Sequence, residues 1–126
     1  ETRFNGKTPL IIAIENNLWL IVRDLLNNNA NPNAIDLNSG DSALFIAVKR
    51  NLIQIVELLL DRKANIFFKI NDNSINHGKT IFKYITDNNL NNIIELVSFQ
   101  KIQNLLDITN QYGIPEEIII ETLEWV

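Results

Sequence analysis

No cysteine and no methionine occur among the 126 residues, and histidine occurs once. Without a thiol the chain has no disulfide, no thiolate nucleophile, no cysteine zinc site and no iron–sulfur cluster. A single histidine leaves no two-histidine metal site. Basic residues are in deficit: 11 Lys and Arg stand against 15 Asp and Glu, a net charge of −4. The clustered cations that grip a phosphate backbone are missing, so no nucleic-acid partner is expected. Long apolar runs are missing too. A bilayer crossing takes about 20 residues, and no membrane insertion is expected. The chain opens on Glu1 with no basic-then-apolar leader, and it reads as a segment of something longer. Absent cysteine fits a reducing compartment, so a cytoplasmic location is expected.

Apolar residues make up 46% of the chain, enough to bury one core. The length suits a single compact domain. Twenty Asn and twenty-one Ile point to an AT-rich source. The asparagines alternate with a regular apolar pattern, which favours a folded chain over a low-complexity one.

The chain matches itself at a shift of 34, where residues 6–34 and 40–68 share twelve of 29 positions. Chance gives about two or three on ordinary residue frequencies. A weaker third copy, from Gly78 to Val97, follows at a shift of 38, so four or five extra residues precede Gly78. Each copy has one internal grammar. Gly6, Gly40 or Gly78 ends an extended connection. Thr8, Ser42 or Thr80 then stands where a hydroxyl caps a helix N-terminus, with Pro9 at the first helical position of copy one. The spacing predicts first helices over 9–15, 43–49 and 81–87, broken by Asn17, Asn51 and Asn89, which tolerate left-handed backbone. Second helices follow over 19–27, 53–61 and 91–98, and Ile21, Val22, Leu25 and Leu26 form one apolar face. Two short helices cannot bury themselves. Stacking of neighbours makes the shared core.

These residues closely resemble the ankyrin-repeat consensus: Gly6-x-Thr8-Pro9-Leu10-x-x-Ala13, then Asn17-Leu18-x-x-Ile21-Val22-x-x-Leu25-Leu26, then Ala30-Asn31-x-Asn33-Ala34. The Trp-Leu-Gly-Tyr-Ala pattern of tetratricopeptide repeats is missing. The resemblance implies an all-α ankyrin-repeat solenoid of stacked helix–turn–helix units, with repeats at about 5–36, 37–72 and 73–98. Three departures stand out. Ile11, Phe45 and Lys83 replace the family's histidine and are expected to face inward. Asn replaces the glycine of the turn between helices. Repeat three carries Tyr84 and Ile85 in place of its small residues.

Beyond Ser98, residues 99–108 read as a continuing or separate helix, and Asn110–Gly113 as a turn. Ile114-Pro115-Glu116-Glu117 then opens a last helix, its acids suited to the positive helix end. A C-terminal helical cap over 99–126 is the plainer reading. The sharper one is a resemblance of residues 114–123 to the start of an F-box, which implies a substrate-receptor subunit of a ubiquitin ligase.

The catalytic candidates are weak. Gly6-Lys7-Thr8 and Gly78-Lys79-Thr80 imitate the end of a phosphate-binding loop, but Glu1 and Asn73 stand where the earlier glycine is needed. His77 lies in a connection without a second ligand nearby. Asp36, Asp41, Asp72 and Asn73 match no calcium-loop spacing. Glu116 and Glu117 are neighbours on a helix and point about 100° apart, too divergent for a carboxylate pair. No nucleophile–base pair is visible. Neither cofactor nor metal is expected, and no enzyme activity.

The ankyrin resemblance instead implies a monomeric protein-interaction module that grips a partner protein with its connection tips and first helices. It places the contacts at Phe4, Asn5, Lys7, Glu15 and Asn16 in repeat one. In repeat two they are Leu37, Asn38, Ser39, Asp41, Lys49 and Arg50. In repeat three they are Asn76, His77, Lys79, Asp87 and Asn88. The lengthened connection with Phe67 and Phe68 is a candidate binding loop or, alternatively, packing beneath the stack. A scaffold role, a pathogen or viral protein acting in the host cytoplasm, and a non-catalytic domain of a larger enzyme are the expected settings.

Overall fold

Local chemistry starts each helical pair in the same way. In the computed structural model, which describes residues 3–71 and 75–113, the hydroxyls of Thr8, Ser42 and Thr80 accept hydrogen bonds from the N–H groups of Ile11, Phe45 and Lys83 at 3.3, 3.2 and 3.1 Å. Each bond satisfies a donor that the first helical turn leaves free. The helices so started are α1 (Pro9–Glu15), α3 (Ala43–Lys49) and α5 (Ile81–Asp87). Their ends are just as uniform. Asn17, Asn51 and Asn89 hold left-handed φ angles of 53, 56 and 52°. The N–H groups of Leu18, Leu52 and Leu90 reach back to the carbonyls of Ala13, Ala47 and Ile85, closing the helix end.

The second helices are α2 (Trp19–Asn27), α4 (Ile53–Asp61) and α6 (Asn91–Tyr112). Within each pair α1 packs on α2, α3 on α4 and α5 on α6; between pairs α1 meets α3, α2 meets α4 and α4 meets α6. Buried Leu10, Ile14, Val22, Leu44, Ile55, Leu59, Ile81 and Ile93 form one continuous core along this succession. Among the described residues there is no extended strand, only isolated antiparallel bridges at Phe4–Lys7, Ile35–Ser42 and Lys69–Thr80. Each bridge closes a hairpin tip beside the stack. The expected all-α succession of helix–turn–helix units is what forms.

Three local expectations need correction. Lys83 does not face inward as Ile11 and Phe45 do; its side chain is exposed and pairs with Asp87 at 3.1 Å. The inward space is filled by Tyr84 instead, whose ring stands edge-on to Phe45 at 5.1 Å. Second, of the two alternatives for residues 99–108 the continuing helix is what forms, and α6 runs unbroken to Tyr112; the turn expected at Asn110 begins only at Gly113, whose φ is 66°. Third, Phe67 and Phe68 do not belong to the inserted residues. The Lys69–Thr80 bridge aligns with Ile35–Ser42, which puts the extra length in the tip beyond Ile70. The F-box-like segment 114–123 and the last expected helix lie outside the described residues.

Candidate functional site

The hairpin tips carry the residues expected to meet a partner. Stacking one tip on the next demands close backbone approach. At Gly40 (φ 78°) a Cβ would stand 2.9 Å from the carbonyl oxygen of Asn71 in the following tip, so no larger residue fits without a shift. The first two tips are also tied directly. The Leu37 N–H donates to the Gly6 carbonyl at 3.0 Å, and the Asn38 amide donates to the Asn5 carbonyl. This stacking turns one apolar side chain per tip to solvent: Phe4 is 69% exposed, Leu37 66% and Ile75 91%.

Behind the tips lies an ion pair that recurs at the same register in every repeat. Lys7 Nζ meets Glu15 at 2.7 Å, Lys49 Nζ meets Asp41 at 2.6 Å, and Lys79 Nζ meets Asp87 at 3.1 Å. Its polarity is reversed in the middle repeat. Opposite charges therefore alternate from repeat to repeat along both rows, and contacts between the first two repeats follow. Lys7 Nζ lies 3.4 Å from Asp36, and the Arg50 guanidinium donates to the Glu15 carbonyl at 3.0 Å and stands 3.8 Å from its carboxylate.

These contacts shift proton affinities. The hydrogen bond to Glu15 raises the Lys7 ammonium above its usual value. Burial pushes the Asp36 carboxyl up, but the Asn38 N–H, bound at 2.9 Å, and the Lys7 charge outweigh it and hold Asp36 below the usual carboxylate range. Hydrogen bonds from Lys79 and Lys83 lower Asp87. A groove of about 410 Å³ opens between the first two repeats, lined by Lys7, Glu15, Asp36, Asp41, Lys49 and Arg50. No group of three His, Cys, Asp or Glu able to hold a metal occurs among the described residues. The Gly-Lys-Thr motif has a structural use: Thr8 caps α1 and Lys7 is bound to Glu15.

Most of the expected contact residues do gather on this side, with differences in exposure. Asp41 is buried; one oxygen holds Lys49, and the other, Oδ1, has no hydrogen-bond partner among the described residues. It therefore lies beneath the surface rather than on it. Lys49 in turn lies over the Phe45 ring at 4.7 Å. Ser39 accepts the Asp41 N–H at 3.2 Å. Asn16 and Asn88 spend their side-chain amides on the carbonyls of Ile12 and Tyr84, both at 2.8 Å, at the ends of α1 and α5. The Asn76 carbonyl accepts the Lys79 N–H at 3.0 Å inside the third tip, where His77 is exposed. Of the two aromatics, Phe68 packs against the core, whereas Phe67 is half out in solvent with its ring 6.0 Å from Phe82.

Two further residues stand out on this side. Ile75 falls in the lengthened connection expected as a binding loop, though nothing in its neighbours marks it for exposure. Asp36 had a local signal: it is an Asx-type residue bonded two positions on, as Asn31 and Asn65 are to the N–H groups of Asn33 and Phe67.

Comparison with known families adds one finding. Residues 10–107 match the family model described as ankyrin repeats, in 3 copies. A search of curated proteins gives no match.

Proposed function

Since the chain belongs to the ankyrin-repeat family, whose repeats are protein–protein interaction modules, we propose that the hairpin tips and the helix ends behind them are its docking face for a partner protein and that the domain does no chemistry of its own. The single observation carrying this reading is the row of tip side chains. Phe4, Leu37 and Ile75 each leave more than half their surface in water. Large apolar residues held out on a stacked backbone are the usual anchors of an interface.

The charges behind the row define what fits. Their signs alternate, and each cation already has a carboxylate, so the face has no single strong polarity. A partner segment with apolar side chains at the repeat spacing suits it better than a uniformly acidic or basic tail. Helices pack about 8–10 Å apart, close to the rise of seven residues of a partner helix, about 10.5 Å. Binding of this kind depends weakly on salt.

Leu37→Ser and Ile75→Ser together test the reading. Partner captured from lysate and identified by mass spectrometry is expected to lose at least tenfold in affinity for the double variant, with an unchanged unfolding midpoint. Full binding by the double variant would dismiss the tips as the docking face.

A further inference from the structure

Three positions recur in all three repeats and are covered in only two of them. Ala43 and Ile81 are fully buried, but the equivalent Pro9 is exposed. Ile55 and Ile93 are 0% exposed, but Ile21 is 48%. Leu59 and Val97 are buried, but Leu25 is only half-buried. In repeat two these side chains are covered by α1 and α2 of repeat one, and in repeat three α4 lies against α6. Repeat one thus presents, uncovered, the same apolar face that its successors bury against a preceding unit. An open depression of about 400 Å³ runs along it beside Pro9, Leu25 and Ala30, and Trp19, on the same helix as Leu25, is 38% exposed.

We propose that this α1–α2 face is a second docking surface, and that its occupant is one more helix–turn–helix unit of the same kind, stacked ahead of repeat one in the same polypeptide. The repeat one–repeat two interface, carried back by one step, is the template. The face keeps the side chains of a covered face: Ile21 and Ile55 are identical, as are Leu25 and Leu59. A solvent-facing end calls for polar residues there, because uncovered aliphatic surface costs free energy and invites association. The surface is distinct from the hairpin tips, so the two readings stand or fall separately.

The probe is a second copy of residues 6–39 fused ahead of Gly6, since that segment already covers the matching face of repeat two. The 126-residue chain with Trp125→Phe is compared with the fused form carrying the same substitution and with Trp→Phe in the added copy, so that emission reports Trp19 alone. Covering the face is expected to shift Trp19 emission to the blue and raise the unfolding midpoint by about 5 °C or more. Ile21→Lys is expected to abolish that rise in the fused form while changing the unfused chain little. A fused form with unshifted Trp19 emission and no gain in midpoint would overturn the proposal. So would concentration-dependent dimers of the unfused chain in sedimentation that Ile21→Lys dissolves, which would make a second copy the occupant. Partner capture through the tips is read on the unfused chain, which keeps Phe4, Leu37 and Ile75, and so stands apart from these results.

Discussion

Repeats one and two share one pattern and twelve of 29 aligned residues, yet they differ sharply in what they bury. Both start with a hydroxyl-capped seven-residue helix and end it at a left-handed Asn. In repeat two every residue of α3 from Ala43 to Val48 is buried, and α4 buries Ile55, Val56, Leu59 and Leu60. In repeat one α2 buries only Val22 and Leu26. Sequence identity made the same local structure, and the neighbours made the difference in burial. An apolar side chain contributes its free energy only where another unit removes it from water.

The largest expected contrast follows from that. Ile55→Ala is expected to cost about 3 kcal/mol, in the range of core deletions that leave a cavity. Ile21→Ala at the matching position should cost under about 1 kcal/mol, because much of that side chain is already wet. Urea denaturation of both variants gives the comparison directly. Equal losses would mean that the stack position does not govern burial.

A middle-sized contrast concerns the tips. Gly40 holds a left-handed φ and faces the Asn71 carbonyl, whereas Gly78 has a similar φ of 83° and, among the described residues, nothing within 4 Å of an added Cβ. Gly78→Ala meets only the backbone penalty, about 1 kcal/mol, and Gly40→Ala adds the clash, for about 2 kcal/mol or more. Thermal unfolding of the pair separates conformational strain from crowding.

The smallest concerns acid. Asp36 ties the second tip to Lys7 of the first, while buried Ile70 occupies the matching place in the third tip. Its folded proton affinity is lowered, so its contribution is present above the unfolded value of about 3.9 and is lost as pH falls through the lower folded value. Asp87, also lowered, loses its contribution in the same direction. Asp36→Asn is expected to flatten the fall in unfolding midpoint below about pH 4 without removing it. An unchanged acid profile would place the titration elsewhere.

Much of the architecture was legible in advance, for local reasons. Thr8, Ser42 and Thr80 cap and Asn17, Asn51 and Asn89 turn through their own backbone chemistry, and α1 to α5 run over the expected residues. The end of α6 was not legible. Lys63 takes a left-handed φ of 63° and ends the repeat-two pattern, while Lys101 at the matching position lies within α6. The residue type is the same; what differs is the Ala64-Asn65 pair, replaced by Ile102-Gln103, so the closing bond from the Ala64 N–H to Leu59 has no small-residue counterpart. The tip contacts were named as a set, but not their inner and outer members. Asp41 and Phe68 went inside and Ile75 outside, because exposure there depends on how one tip lies on the next.

Periodicity, capping and turns are decided within a few residues of chain, and for these the amino-acid order alone sufficed: helix–turn–helix units, three times over. Which of the repeated side chains are dry, and that Lys7 of the first tip meets Asp36 of the second, was decided by the stack. Burial and ion pairing are relations between surfaces brought together by folding, and matching residues such as Ile21 and Ile55 acquire different environments when one repeat has a neighbour on both sides and the other on one.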